Sequence, residues 1–389
     1  MRIILANKFY YHRGGDCIYM FNLEKLLREH GHEVAVYSMQ YPENLPSEWS
    51  TYWPSNMTKV DALTRPFGAK QVKKGFSRLL DDFKPDVVHL NNIHTQLSPI
   101  IAEIAHKKGI RVVWTLHDTK LVCPAYTCQR EGKWCDECFK DKTAVIRYRC
   151  LPGSIVGAFI GWGEIVKWNN NRLITCTDLF LSPSKFLKDT MINGGYEAGK
   201  IKVLCNFIDL NKVNGRLTST KEDYYVYLGR IDDYKGVVTL CKVASSLPYR
   251  IKLIGGGPLL NHLRSIYHNN EKIEFLDQLT WEELWPILAK SRFMVLPSEC
   301  SENNPLTVIE SQSLGTPVLG ARIGGIPELI EDGVSGMTFE SGNQEDLKEK
   351  IDMMWNTSFD YKAIAEEAVK RYSSEAYYEK LMKYYKGEE

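Results

Sequence analysis

The chain has no uninterrupted apolar run near the length of a bilayer span; its longest approach, GSIVGAFIGWGEIV, is broken by Glu164. A membrane-crossing helix is therefore not expected. The opening MRIILANKFYYHRGG carries an apolar run too short for an export signal and no small-residue cleavage site, so the expected compartment is the cytoplasm or the cytoplasmic face of a membrane. Neither sign of charge dominates. The 49 Lys and Arg against 48 Asp and Glu leave a formal net charge of +1, and nucleic acid is not an expected partner. There is no G-x-G-x-x-G, which argues against a dinucleotide cofactor. Short-period repeats and low-complexity tracts are also absent. In a cytoplasmic chain the ten cysteines are expected to be free, buried or metal-bound rather than paired in disulfides.

At 389 residues the chain exceeds one ordinary hydrophobic core, so two domains are expected. Short β-rich apolar runs alternate with helical patterns, twice over, which predicts two parallel α/β sheets. In the first half RIILA, HEVAVYS, DVVHL, IRVVWTLH, LFLSPS and IKVLCN read as strands. After the first comes a Gly14-Gly15 loop, then a helix with Tyr19, Leu23, Leu26 and Leu27 at helical spacing, ending at Gly31. This pattern runs to about residue 205, and the polar stretch Leu210 to Asp223 marks the passage to the second half. There YYVYLGR, RIKLIGG, IEFLD, FMVLPS and TPVLGA are the strands. The expected division is a first domain over 1–205 with a cysteine-rich loop at 117–150, a second over 206–372, and a final helix over 373–389 returning to the first. Two doubly wound sheets facing across a cleft place ligands beyond the carboxyl ends of the strands. The polar residues at strand ends are the ones that matter.

After FMVLPS, Glu302 lies in a loop and Glu310 in the helix that follows. Asn304 suits that helix's cap, Pro305 its first turn and Gly315 its end. The first backbone N–H groups, from about Leu306 and Thr307, would be open to an anion. Two carboxylates cannot ligate a phosphate, but they can accept hydrogen bonds from hydroxyl groups on either side of one. A sugar nucleotide has that form. The alternative is a pair of solvated surface glutamates. In YLGRIDDYKG, Arg230 and Lys235 follow the second domain's first strand and can neutralise a diphosphate; either residue alone would read as an ordinary surface cation.

Gly229-Arg230 with Lys235-Gly236, Glu302 and Glu310 with seven residues between them, and the segment SLGTPVLGARIGGIPELIEDGVSG resemble the retaining family-4 glycosyltransferases of the GT-B type, built from two Rossmann-like domains. The likeness covers essentially the whole chain and is strongest in the second domain. It implies a nucleoside-diphosphate sugar as donor and a glycan or lipid-linked acceptor. Arg230 and Lys235 would hold the diphosphate, Glu310 the ribose, and Glu302 the hydroxyls of the donor sugar. Where many members have Phe-Gly, this chain has Asn304-Pro305. The Gly14-Gly15 loop would lie against the donor phosphate or the acceptor. His117, at the end of IRVVWTLH beside Asp118, matches the family's T-x-H-D site and would hydrogen-bond the donor sugar; a satisfied core histidine is the competing reading. No two aspartates are separated by a single residue, so the D-x-D metal clamp of the other major glycosyltransferase fold is missing, and catalysis is expected to need no cofactor. A phosphorylase or hydrolase on the same fold, and a non-catalytic scaffold, stay open.

Three segments fall outside that scheme. Cys135 and Cys138 form a C-x-x-C pair, and Cys123 or Cys128, with Cys150, completes a four-thiolate set. A subset of similar glycosyltransferases carries comparable cysteines, in the pattern of Cys123, Cys135, Cys138 and Cys150. Both a structural zinc and a set of reduced thiols stay open. Arg65 to Leu80 reads as a basic, roughly amphipathic helix, either a solvated face or a contact with anionic lipid. IVGAFIGWGEIVKWNN reads as an apolar helix, more often core than membrane contact.

Overall fold

In a computed structural model, residues 1–55, 64–151, 154–218 and 220–388 are described. Gly153, at the head of the apolar run, and Ser219, in the polar stretch, lie outside them. The chain divides into two units, one formed by Met1–Cys205 with Tyr378–Glu389, the other by Asn206–Tyr377.

The first unit holds β1 (Arg2–Ala6), β2 (Glu33–Tyr37), β3 (Val87–Leu90), β4 (Arg111–Thr115), a small hairpin of β5 (Gln129–Arg130) and β6 (Lys133–Trp134), then β7 (Leu179–Ser182) and β8 (Ile201–Val203). Its main sheet runs β2-β1-β3-β4-β7-β8, with every pairing parallel. β3 and β7 are buried along their whole length, and β1, β2 and β4 past their first residue. Strands covered on both faces have no polar side to alternate with, which is why they read as continuous apolar runs. Around the sheet lie α1 (Gly15–Glu29), α2 (Lys70–Phe83) and α3 (Ile155–Lys167) among others. α1 buries Tyr19, Leu23, Leu26 and Leu27 and gives way to Gly31 at φ +76°.

The second unit repeats the plan. β9 (Tyr224–Leu228), β10 (Arg250–Ile254), β11 (Ile273–Leu276), β12 (Met294–Leu296), β13 (Val318–Ala321) and β14 (Gly336–Phe339) form a parallel sheet of order β11-β10-β9-β12-β13-β14. β14, sequence GMTF, was not anticipated; two of its four residues lack strong strand preference and it follows a turn-rich stretch. α4 (Val237–Ser246) follows β9, and α5 (Leu306–Ser313) follows β12.

The polar stretch Leu210–Asp223 is part of the second unit rather than a linker. Lys221 donates to the carbonyls of Ala289 and Gly315 and to Thr316 Oγ1, and Trp281 donates to the carbonyl of Lys212. Lys221 thus holds backbone acceptors of the unit, while Asn211, Asn214, Thr220, Glu222 and Asp223 face solvent. The last helix, α6 (Ser374–Lys386), begins in the second unit, where Tyr377 packs on Phe207 with ring centroids 4.3 Å apart. It ends in the first, where the Tyr385 hydroxyl shares a 2.5 Å hydrogen bond with buried His89 and Tyr378 stacks on His30.

Candidate active site

In the second unit the strand order reverses direction between β9 and β12, which makes the carboxyl ends of these two strands the switch point where doubly wound sheets bind ligands. Arg230 and Lys235 follow β9, and Glu302 follows β12. The two loops are locked together through backbone. Gly236 sits at φ +70°, and a Cβ there would stand 1.9 Å from the Pro297 carbonyl oxygen. Glu299 N–H donates to the Tyr234 carbonyl, and Gly325 N–H, from the loop after β13, donates to that of Glu302.

This scaffold brings Lys235 and Glu302 together at 2.5 Å, both partly shielded, with Ser298 Oγ donating to the same carboxylate oxygen at 3.0 Å. Burial works against the Lys235 charge, but the Glu302 carboxylate outweighs it and holds the lysine above its ordinary pKa. Arg230 instead pairs with Asp232 at 2.9 Å and is largely exposed, so its guanidinium can swing to a ligand at little cost.

α5 begins at Leu306 with Pro305 in the N-cap position and no side-chain cap. Asn304 is therefore not the cap expected from sequence. Its Oδ1 accepts from Asn206 N–H and its carbonyl from Asn206 Nδ2, while its own Nδ2 is buried without a partner among the described residues. Because Pro305 lacks an N–H and nothing caps the turn, the N–H groups of Leu306 and Thr307 have no acceptor among the described residues. Glu310 lies one turn further on. Burial pushes its carboxyl up to about 7, and Lys212 only partly offsets this. Also at this end is the Gly255-Gly256-Gly257 run after β10, where a Cβ on Gly255 (φ +138°) would stand 2.1 Å from the Gly229 carbonyl oxygen. The triple glycine was visible in sequence and its role in packing the Arg230 loop was missed.

The first unit has a separate polar cluster at its own switch point, between β1 and β3. Gly14 is the N-cap of α1 and Gly15 its first residue; a Cβ on Gly15 would meet nothing within 4 Å, leaving open space at the helix start. Beside it, Asp16 accepts from Asn92 Nδ2 at 2.8 Å. Burial raises the Asp16 carboxyl, but His117, that hydrogen bond and Lys8 more than compensate and hold it below the ordinary range. His117 stands at the end of β4, 3.0 Å from Asn91 Oδ1 and edge-on to Tyr19. Burial brings its pKa down to about 4 despite Asp16, so the ring is neutral at pH 7. Asn91 and Asn92 directly follow the strand read as DVVHL; strand-end position was the signal that could have flagged them.

The cysteine loop is ordered around two short strands and two four-residue helices. Cys123, Cys128 and Cys138 are buried. Cys123 and Cys128 share a hydrogen bond that favours a thiolate at Cys123 and opposes one at Cys128. Among the described residues no three His, Cys, Asp or Glu groups are placed to hold a metal ion. Cys123, Cys135, Cys138 and Cys150 nevertheless lie near enough to act on one another: after burial, the neighbouring thiols help raise the pKa of Cys138 and of Cys150.

A family model described as Glycosyltransferase Family 4 matches residues 13–212, and one described as Glycosyl transferases group 1 matches residues 211–371. The chain is 23% identical over 386 residues to an uncharacterized glycosyltransferase of Methanocaldococcus jannaschii, covering 98% of this chain and 96% of the relative. It is 26% identical to the sulfoquinovosyl transferase SQD2 of Arabidopsis thaliana, over 85% of this chain and 61% of that one. Among solved structures, HepE of Anabaena in complex with UDP-glucose aligns over 100% of both chains with a TM-score of 0.71 at 16% identity. Sucrose-phosphate synthase of Thermosynechococcus elongatus aligns over 99% of this chain and 98% of that one, with a TM-score of 0.71 at 17% identity. The chain is a glycosyltransferase of family 4, with the GT-B fold of two Rossmann-like halves.

Proposed function

We propose that the protein transfers a hexosyl group, with retention of configuration, from a nucleoside-diphosphate sugar to a glycan or lipid-linked acceptor. The observation that carries this reading is the Lys235–Glu302 pair at the β9/β12 switch point, beside the uncapped start of α5. A lysine and a carboxylate that satisfy each other without ligand are poised to separate: Lys235 to the diphosphate, Glu302 to a sugar hydroxyl. Arg230 and the Leu306 and Thr307 N–H groups supply the rest of the anion site. Glu310, one turn into the helix, takes the ribose hydroxyls. HepE was solved with UDP and with UDP-glucose, which makes UDP-glucose the first donor to try.

In the reaction the bond from the anomeric carbon to the diphosphate oxygen breaks and a bond to the acceptor oxygen forms on the same face. The acceptor proton passes to the leaving diphosphate. Positive charge at Arg230 and Lys235 stabilises that group as it departs. His117, held neutral, orients a sugar hydroxyl and transfers no proton in the reaction. Asp16, Asn91 and Asn92 offer the hydroxyl-binding surface around it.

Thermal unfolding with UDP, GDP, ADP and their sugar conjugates tests the donor site. A ligand at ~100 times its dissociation constant adds about 2.7 kcal/mol of stability. A selective shift with one base, lost in Lys235→Ala, is expected. No shift with any nucleotide, in folded protein, would overturn the reading in favour of a scaffold role. A nucleotide shift with sugar released but no acceptor glycosylated would instead make the protein a hydrolase.

A further inference from the structure

The helix that the sequence leaves between core and membrane contact, more often core, buries one face and exposes the other. α3 turns Ala158, Gly161, Glu164 and Ile165 inward. Its exposed residues are Ser154 at the cap and then Ile155, Val156, Phe159, Trp162 and Val166, these five between 36 and 56% exposed. Ile155, Phe159, Trp162 and Val166 recur at intervals of four, three and four, so they form one stripe. No charged residue interrupts it. The inward glutamate is fastened by Lys120 at 3.0 Å, with both side chains more than nine-tenths buried. That ion pair fixes the rotation of the helix and keeps the large side chains in water.

Basic residues rim this stripe. At its carboxyl end Lys167 donates to the Phe67 carbonyl and stands close enough to Lys73 that the two repel, which, after burial and Arg172, helps lower the Lys167 pKa. Lys73 belongs to α2, whose Val72, Phe76, Leu79, Leu80 and Phe83 are buried and whose Lys70, Lys73 and Lys74 face solvent without ion-pair partners among the described residues. At the amino end the helix Ala144–Arg147 packs on α3 and is followed by exposed Tyr148 and Arg149.

We infer that α3 docks the first unit onto an anionic lipid surface, with the apolar stripe in the headgroup–acyl boundary and the Lys70–Lys74 and Lys167 region against the headgroups. An apolar face this continuous marks a place where another apolar phase covers it. The unpaired lysines select the phase. A two-fold contact with a second copy would set these like charges against each other, whereas an anionic bilayer attracts each of them. The inference goes beyond the donor site and does not depend on it.

The test is flotation of the full chain with phosphatidylcholine vesicles and with vesicles of phosphatidylcholine and phosphatidylglycerol at 7:3. Binding is expected to the anionic vesicles, weakened by salt, and cut at least about tenfold in Val156→Asp/Phe159→Asp. Lys73→Gln/Lys74→Gln, which leaves the stripe intact, should lose about fivefold per charge. Unchanged melting curves and an unchanged nucleotide shift in both variants establish that fold and donor site survive. Flotation with neither vesicle, or flotation indifferent to both pairs of substitutions, overturns the inference. So does a change of oligomeric state in Val156→Asp/Phe159→Asp without any vesicle binding, which would assign the face to a second copy.

Discussion

Glu310 carries a cost in the free protein that ligand binding would use. Its folded pKa of about 7 lies above the ordinary 4.5, so between these values the native state holds more proton than the unfolded one. Stability therefore falls as pH rises through that window. Glu310→Gln is expected to gain about 1–2 kcal/mol at pH 8 and nothing at pH 4, by urea unfolding at both pH values; an equal gain at both would mean the effect is not ionisation. His117 behaves oppositely. With its pKa lowered to about 4, it stays neutral from pH 5.5 to 8, and kcat/KM should show no inflection near 6.5 that His117→Gln removes. For the ion pair, Glu302→Ala should abolish transfer while UDP binds as well or better, since Lys235 loses its internal competitor. Lys235→Ala should weaken diphosphate binding roughly tenfold or more, read by calorimetry. Most of these residues were legible because chemistry at strand ends shows in sequence. Which groups pair with each other was not, since Lys235 and Glu302 are 67 positions apart.

Elements depend on backbone approaches that only glycine permits. Gly236→Ala would put a methyl group within bonding range of the Pro297 carbonyl and force a left-handed φ on alanine, so the β9 and β12 loops must separate. A loss of about 2 kcal/mol or more in stability, with nucleotide binding lost as well, is the expected outcome of denaturant titration and calorimetry. The Asn304 reading failed for an instructive reason. Capping propensity is local, but the residue's oxygen was claimed by Asn206, nearly a hundred positions earlier. α3 stayed open between core and membrane contact in the sequence because composition counts apolar residues without saying which side faces in. The buried Lys120 partner of Glu164 decides that. Lys120→Met should cost about 3–5 kcal/mol by leaving a buried carboxylate unpaired, and Glu164→Gln in the same chain should recover part of it.

At the scale of the whole molecule, the chain returns to its first unit through α6. Leu381 and Tyr385 are buried there, and Tyr385 supplies one of the two partners of His89, a neutral imidazole whose pKa burial brings down to about 3. Tyr385→Phe leaves a buried ring nitrogen unsatisfied and should destabilise by about 1–3 kcal/mol. Removal of residues 374–389 strips that face entirely and is expected to yield an aggregating chain, measured by expression and light scattering. A stable, monomeric truncation would show that the helix only decorates the first unit.

The sequence by itself determined two parallel sheets, their strand segments apart from β14, the order of the units and the residue types at the strand ends. Buried parallel strands must be continuous apolar runs, and ligand groups must follow them. Tertiary structure alone decided the pairing of Lys235 with Glu302, the elevation of Glu310, the neutrality of His117, the hydrogen bond between Cys123 and Cys128 and the outward face of α3. Each of these depends on what stands within a few ångströms, and those neighbours come from distant parts of the chain.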